Sequence, residues 1–203
     1  MAAADNLPPR DIFTIGHGNH DWETFLALLR THGITLVVDV RSSPYSRYRP
    51  HFRQARLSQA LRTAGIGYLF LGKELGGQPA AAEFYDPEGH VLYNRLAATA
   101  SFRAGLAAVA QTSAVERVTL LCAEEDPSHC HRRLLIARVL ASTGVEVWHL
   151  RGDGRVQGEA ELSAAACESH HRQLHLFAAE EVRPWRSPRS VLPKKALKNS
   201  SPS

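Results

Sequence analysis

The stretch that most constrains the fold is Thr35 to Val40, TLVVDV, an almost unbroken apolar run with one carboxylate near its end. Such a run suits a strand covered on both faces, as in a parallel sheet flanked by helices. Asp11 to Ile15 (DIFTI) is a second short β-rich run, and it stops at Gly16-His17-Gly18. Between the two, Asp21 to Arg30 carries Trp22, Phe25, Leu26, Leu28 and Leu29 at near-helical spacing. Asn19, His20 or Asp21 serves as its N-cap, and His32-Gly33 ends it. Strand, helix and strand within about thirty residues form a βαβ unit, whose strands run parallel.

The alternation continues down the chain. Ala55 to Ala64 predicts a helix ended by Gly65, and Gly67 to Leu71 (GYLFL) a strand. Residues 72–90, rich in glycine and holding two prolines, predict a long surface loop. His90 to Thr112 is an alanine-rich helical stretch broken near its middle. Arg117 to Cys122 (RVTLLC) predicts a buried strand, Cys130 to Ser142 a helix, and Val145 to Leu150 (VEVWHL) a fifth strand. This order predicts a single α/β domain with a mostly parallel sheet of about five strands flanked by helices. Glu159 to Glu181 is a candidate further helix. The expected boundaries are a flexible leader over 1–10, the α/β domain over 11–182, and a disordered basic tail over 183–203 that holds Pro and Ser.

Charge is concentrated at one end. The net charge is +4, yet Arg183, Arg186, Arg189, Lys194, Lys195 and Lys198 are all the charged residues after Glu181. Without those six the chain has 18 basic and 20 acidic residues, a net of −2, so the pI of about 9.2 is a property of the tail. It is no argument for a nucleic-acid-binding fold. Three cysteines, Cys122, Cys130 and Cys167, are too few and too odd for a secreted disulfide framework. Met1 to Arg10 lacks the pattern of a signal peptide, and no run approaches the roughly 20 apolar residues that cross a bilayer. The expected location is therefore the cytoplasm, with no membrane partner. No cofactor or oligomeric state is legible.

In open parallel sheets, ligands gather beyond the carboxyl ends of the strands. The unusual polar residues fall at those ends. His17 follows the first strand, Asp39 and Arg41 end the second, and Cys122 to Arg132 follows the fourth. Cys130 stands near a helix start beside His131 and Arg132, a setting that lowers a thiol pKa and suits a reactive thiolate or an anion site. A phosphatase-type thiolate loop requires an arginine six positions on, but those positions hold Ser128 and Ile136. Cys122, Cys130, His131 and His17 form an alternative four-ligand metal set if the loop folds back. A Cys122–Cys130 disulfide lacks the usual close spacing. Asp39 at the tip of a buried strand is a carboxylate suited to orient Arg41 or His17. The loop that follows sets Arg41, Arg47, Arg49 and Arg53 among Tyr45, Tyr48 and Phe52, a mixture suited to a phosphorylated or base-bearing ligand. His17 between two glycines is a candidate acid or base. Gly72 to Gly77 (GKELGG) lacks the spacing of a Walker loop, leaving Lys73 and Glu74 as loop contacts. His170, His171 and His175 lie at helical spacing, as on a solvated helix face.

Thr14-Ile15-Gly16-His17, Val38-Asp39-Val40-Arg41 with Pro44 and Ser46, Leu71-Gly72, Leu75-Gly76-Gly77, Leu121-Cys122-Ala123-Glu124 and Cys130-His131-Arg132 occur in this order. Together they resemble the prokaryotic family called domain of unknown function 488, over about residues 11 to 150. The Cys-Ala-Glu and Cys-His-Arg segments are the most specific part. Gly18 stands where the family pattern has Ser. The resemblance implies a compact α/β domain with a shared polar pocket, and no particular reaction.

The expected function is an enzyme acting on a phosphate-bearing ligand, either a nucleotide or nucleic acid. Its catalytic candidates are Cys130, His131, Asp39 and His17, and its substrate-binding candidates are Arg41, Ser43, Tyr45, Arg47, Arg132, Cys122 and Glu124. Arg41→Ala and Cys130→Ser are expected to abolish function and spare the melting temperature. The competing readings are a non-catalytic nucleic-acid-binding module and a metal protein using Cys122, Cys130 and histidines.

Overall fold

A computed structural model of the chain describes residues 11–174 and 185–191, with side chains described as far as residue 166 of the last helix. The βαβ unit read from the sequence forms as β1 (Ile12–Gly16), α1 (Trp22–Thr31) and β2 (Leu36–Asp39). Asp21 is the N-cap of α1, its carboxylate accepting from the Thr24 N–H at 2.8 Å. Past the helix, Gly33 takes a φ of 62°, a left-handed turn that a side chain would strain. Helix α2 (Gln54–Thr63) leads to β3 (Gly67–Phe70), and the short helix α3 (Gly72–Leu75) occupies the start of the predicted surface loop.

The alanine-rich stretch is broken, as its pattern predicts, into α4 (Tyr93–Ala97) and α5 (Ala100–Ser113). Thr99 sits at the break and caps α5, accepting from the Phe102 N–H at 3.1 Å. Strand β4 (Val118–Cys122) precedes a π-helical turn (Arg132–Ala137) that runs into α6 (Arg138–Ser142). The wider turn points the consecutive Arg132 and Arg133 both inward, where they are 0% and 7% exposed. Strand β5 (Val147–Leu150) is followed by a sixth strand, β6 (Val156–Gly158), and α7 (Glu159–Leu174). The candidate helix residues beyond 174, including His175, and the leader and tail residues 1–10 and 192–203, lie outside the described residues, as do the side chains of Cys167, His170 and His171.

The strand order is β3-β2-β4-β1-β5-β6. All neighbours pair in parallel except β5 and β6. Phe25, Leu28, Leu29, Leu57 and Leu61 of α1 and α2 pack on one face with Phe13, Ile15 and Val37. Leu75, Leu96, Phe102, Val109 and Leu140 of α3–α6 pack on the other with Val38, Val118 and Leu120. Each fully buried side chain of this kind stabilises the fold by about 1.5–3 kcal/mol. Strand β4 lies between β2 and β1, and its connection leaves over the opposite face from theirs. The loops therefore part at the carboxyl end of β4 and open a crevice on both sides of it.

One stretch beyond Arg183 belongs with the domain. Residues 185–191 lie across it as a strap, with Trp185 Nε1 donating to the Leu134 carbonyl at 2.8 Å and Ser187 exchanging bonds with Val91. Arg186 pairs with Asp86 and Glu88. No described helix is long and apolar enough to cross a membrane.

Candidate functional site

Asp39 ends β2 fully buried, and Arg41 folds back on it. Arg41 Nε donates to Oδ1 at 2.8 Å, Nη2 to Oδ2 at 2.5 Å, and Nη1 to the Phe52 carbonyl at 2.9 Å. Tyr68 of β3 donates its hydroxyl to Oδ2 at 2.8 Å; burial and then the Asp39 charge push its phenol well above the usual range. Three of the five guanidinium N–H groups are thus committed inside the protein. The pair is a strut that fixes the following loop, where Ser42 and Ser43 come to the surface of a pocket. Removing Arg41 leaves a buried carboxylate, so the expectation that Arg41→Ala spares the melting temperature does not survive the geometry.

The loop after β4 is held from below. His17 N–H donates to the Cys122 carbonyl at 3.0 Å and Gly18 N–H to the Ala123 carbonyl at 2.9 Å, extending the β1–β4 ladder. Arg132, 0% exposed, donates from Nη1 to the Glu124 carbonyl, from Nη2 to the Glu125 carbonyl at 2.6 Å, and from Nε to Thr14 Oγ1 at 3.3 Å. Among the described residues no carboxylate lies within ion-pair distance of it.

Cys122, Cys130 and His131 meet above this clamp. His131 Nδ1 is 3.7 Å from the Cys122 sulfur and 3.9 Å from the Cys130 sulfur. Its Nε2 is 3.1 Å from the Val40 carbonyl. A carbonyl only accepts, so Nε2 carries a proton, and Nδ1 is the ring nitrogen that faces the sulfurs. The loop of Gly76-Gly77 closes tightly on this ring: a Cβ on Gly77 would stand 2.5 Å from His131 Cγ.

The two buried thiols shift in opposite directions. Cys130 is pushed up to about 12, first by its bond to Cys122 and then by burial. Cys122 is pulled down to about 7, first by the Cys130 thiol, against burial, and further by Arg132 and the Ala123 and Glu124 N–H groups. Two buried sulfurs side by side share one negative charge, so the two thiols ionise as a coupled pair and the helix-start position of Cys130 does not act alone.

The pocket is a cavity of about 230 Å³ lined by Arg41, Ser42, Ser43, Cys122, Glu124, Cys130 and His131, with Gln78, Tyr93 and the strap residues Ser187 and Arg189. Among the residues singled out by sequence, these loops bring together Arg41, Ser43, Cys122, Glu124, Cys130 and His131. Asp39 stands behind Arg41, and Arg132 lies beneath the loop. Tyr45, 62% exposed, and Arg47 lie outside the pocket, Tyr45 under the Arg53 guanidinium at 4.6 Å and Arg47 over the Tyr48 ring at 5.8 Å.

His17 does not join them. Its ring stacks on Phe52 at 4.3 Å, and Nδ1 faces the Gly18 carbonyl at 3.0 Å. Burial, and then Arg41, pull its pKa down to about 4. As pH falls, the unfolded chain protonates this histidine near its ordinary 6.5 and the folded chain only near 4. Stability is therefore fully present above the first value and lost towards the second, by roughly 3 kcal/mol. Urea unfolding across that interval should show the loss, and His17→Phe should flatten it.

Sequence reasoning missed Ser42, Gln78, Tyr93 and the strap, whose neighbours are far away in the chain. It also missed the reason for Gly16, where a Cβ would stand 1.7 Å from the Glu124 carbonyl oxygen.

The sheet order and this pocket define an α/β protein with a polar site at the carboxyl-edge crevice of a parallel sheet. The family described as Domain of unknown function DUF488 matches residues 21–139, and the chain belongs to it. That match contains both the Asp39–Arg41 strut and the Cys122–Arg132 loop. No curated protein and no solved structure matches the chain.

Proposed function

We propose that this chain is an enzyme acting on a phosphate-bearing ligand, a nucleotide or a nucleic-acid strand, with the crevice around β4 as its active site. The observation that carries the reading is the meeting of Cys122, Cys130 and His131 on one pocket wall with Arg41, Ser42, Ser43 and Arg189 around them. Soft nucleophilic and basic groups stand where a substrate reacts, and hydroxyl and cationic groups stand where a phosphate is held. The cavity, about 230 Å³, is smaller than the roughly 300–1,000 Å³ of drug-sized sites. It admits a phosphate-bearing group and leaves the rest of a larger ligand outside, over the exposed loop of Tyr45, Arg47 and Tyr48. Those rings and guanidinium groups suit a stacked base.

The test is turnover of a panel of nucleoside mono-, di- and triphosphates and short single-stranded oligonucleotides. Wild-type protein should turn over one class, and Cys122→Ser and His131→Ala should each lower the rate by about 100-fold or more, with the folded state retained by circular dichroism. Oligonucleotide binding without turnover, unchanged by those two variants and lost in Tyr45→Ala/Tyr48→Ala, would replace the enzyme with a binding module.

A further inference from the structure

We infer that Cys122, Cys130 and His131 are a three-ligand zinc site whose fourth position opens into the pocket. The three donor atoms lie within 4.8 Å of one another. A tetrahedral zinc with Zn–S of about 2.3 Å and Zn–N of about 2.0 Å sets sulfur and nitrogen roughly 3.5 Å apart. The observed 3.7 and 3.9 Å close to that edge with shifts of a few tenths of an ångström. The near equality of the two distances matters. One lone pair accepts one S–H well, and would draw one sulfur close and leave the other aside. A shared cation instead holds both sulfurs at similar distances from the nitrogen.

The surroundings point the same way. The proton on His131 Nε2, held by the Val40 carbonyl at 3.1 Å, fixes the tautomer that a metal at Nδ1 requires. A carbonyl on the far nitrogen is the usual support of a ligating histidine. His17, the fourth member of the set suggested by sequence, is not part of the cluster, since its ring stacks on Phe52. Three protein ligands with an open position are the pattern of a catalytic rather than a structural zinc. Glu124 lines the same cavity, and its carboxylate has no hydrogen bond or ion pair among the described residues. In the proposed site it is the candidate group to accept a proton from a water at the open position. That last role rests on the pocket being an active site; the ion itself does not.

The experiment is metal analysis of the untagged full chain after exhaustive desalting, with cobalt titration of metal-free protein as a second readout. The expected result is one zinc per chain and a thiolate-to-cobalt charge-transfer absorption. Cys130→Ser and His131→Ala should each weaken binding by about 10–100-fold or more, and His17→Gln should leave it unchanged. Wild-type protein that holds no zinc, gives no charge-transfer band with cobalt and presents freely reacting thiols overturns the site. So does a metal retained by the Cys122→Ser/Cys130→Ser double variant. Either outcome leaves the proposed enzyme standing if turnover is found, whereas zinc bound without turnover in the nucleotide panel sinks that activity and keeps the site.

Discussion

Asp39→Ala is expected to lower the unfolding free energy by about 3–5 kcal/mol. Asp39 is fully buried and Arg41 is 4% exposed, so the variant strands a guanidinium where water cannot replace the carboxylate. The loss includes two guanidinium bonds, one backbone N–H bond to Oδ1, and the Tyr68 hydroxyl bond. Denaturant unfolding measures it, and the melting temperature should fall by roughly 6–20 °C. Asp39→Asn keeps the shape without the charge and should fall between wild type and Asp39→Ala. A loss in Asp39→Ala below about 1 kcal/mol, the worth of a surface pair, would mean that the strut is solvated. Arg41 variants likewise damage the scaffold of the Ser42-Ser43 wall, so loss of activity in them says little about substrate contact.

Gly16→Ala should be comparably damaging for a different reason. The added Cβ would stand 1.7 Å from the Glu124 carbonyl oxygen and 2.8 Å from the Glu125 Cα. Both obstacles are backbone, and that carbonyl is held by Arg132, so no side-chain rotation relieves the clash. Overpacking in cores costs about 1–3 kcal/mol, and a backbone obstacle belongs at or beyond the top of that range. The displaced loop carries Cys122 to Glu124, so ligand binding should fail along with stability. Gly144→Ala is the comparison. Nothing lies within 4 Å of its Cβ, so its cost is only the strain of its φ of 86°, and the pocket should be untouched. Equal stability of Gly16→Ala and wild type would contradict the described packing of the β4 loop against β1.

The elements were legible where their signals are local. TLVVDV announced a buried strand, and the run of Trp22, Phe25, Leu26, Leu28 and Leu29 its amphipathic helix. Thr99 produced the expected break in the alanine-rich stretch through its cap. The strand order was not legible, because β4 inserts between β1 and β2 through pairings distant in sequence, Phe13 with Thr119 on one side and Leu36 with Val118 on the other. Short β6 has little apolar pattern and forms because β5 offers it an edge. The strap was hidden by its composition: Arg186, Ser187 and Pro188 read as tail, while Trp185 against Tyr93 and Leu134, Ser187 with Val91, and Arg186 with Asp86 and Glu88 anchor it.

The site was half legible. Cysteine, histidine and arginine at strand ends point to chemistry, and the Cys122, Cys130 and His131 cluster is where that reasoning led. How the thiols ionise depends on their burial together beside His131, which spacing does not carry. His17 read as a candidate base because it follows a strand between glycines. Its ring instead turns to Phe52, which packs with Phe25, Leu57 and Leu61 and does not line the pocket. Its burial on that side, not its position in the chain, sets its chemistry.

The loops after β2, α3 and β4 are proposed to form one anion-holding pocket, and a titration of isotopically labelled protein with inorganic phosphate tests that most directly. Amide resonances of Ser42, Ser43, Gln78, Ala123, Glu124 and His131 should move together along one saturating curve, with the rest of the spectrum nearly still. Saturating shifts confined to the Tyr45–Arg53 loop or to residues beyond Val191, with those six amides unmoved, would contradict it.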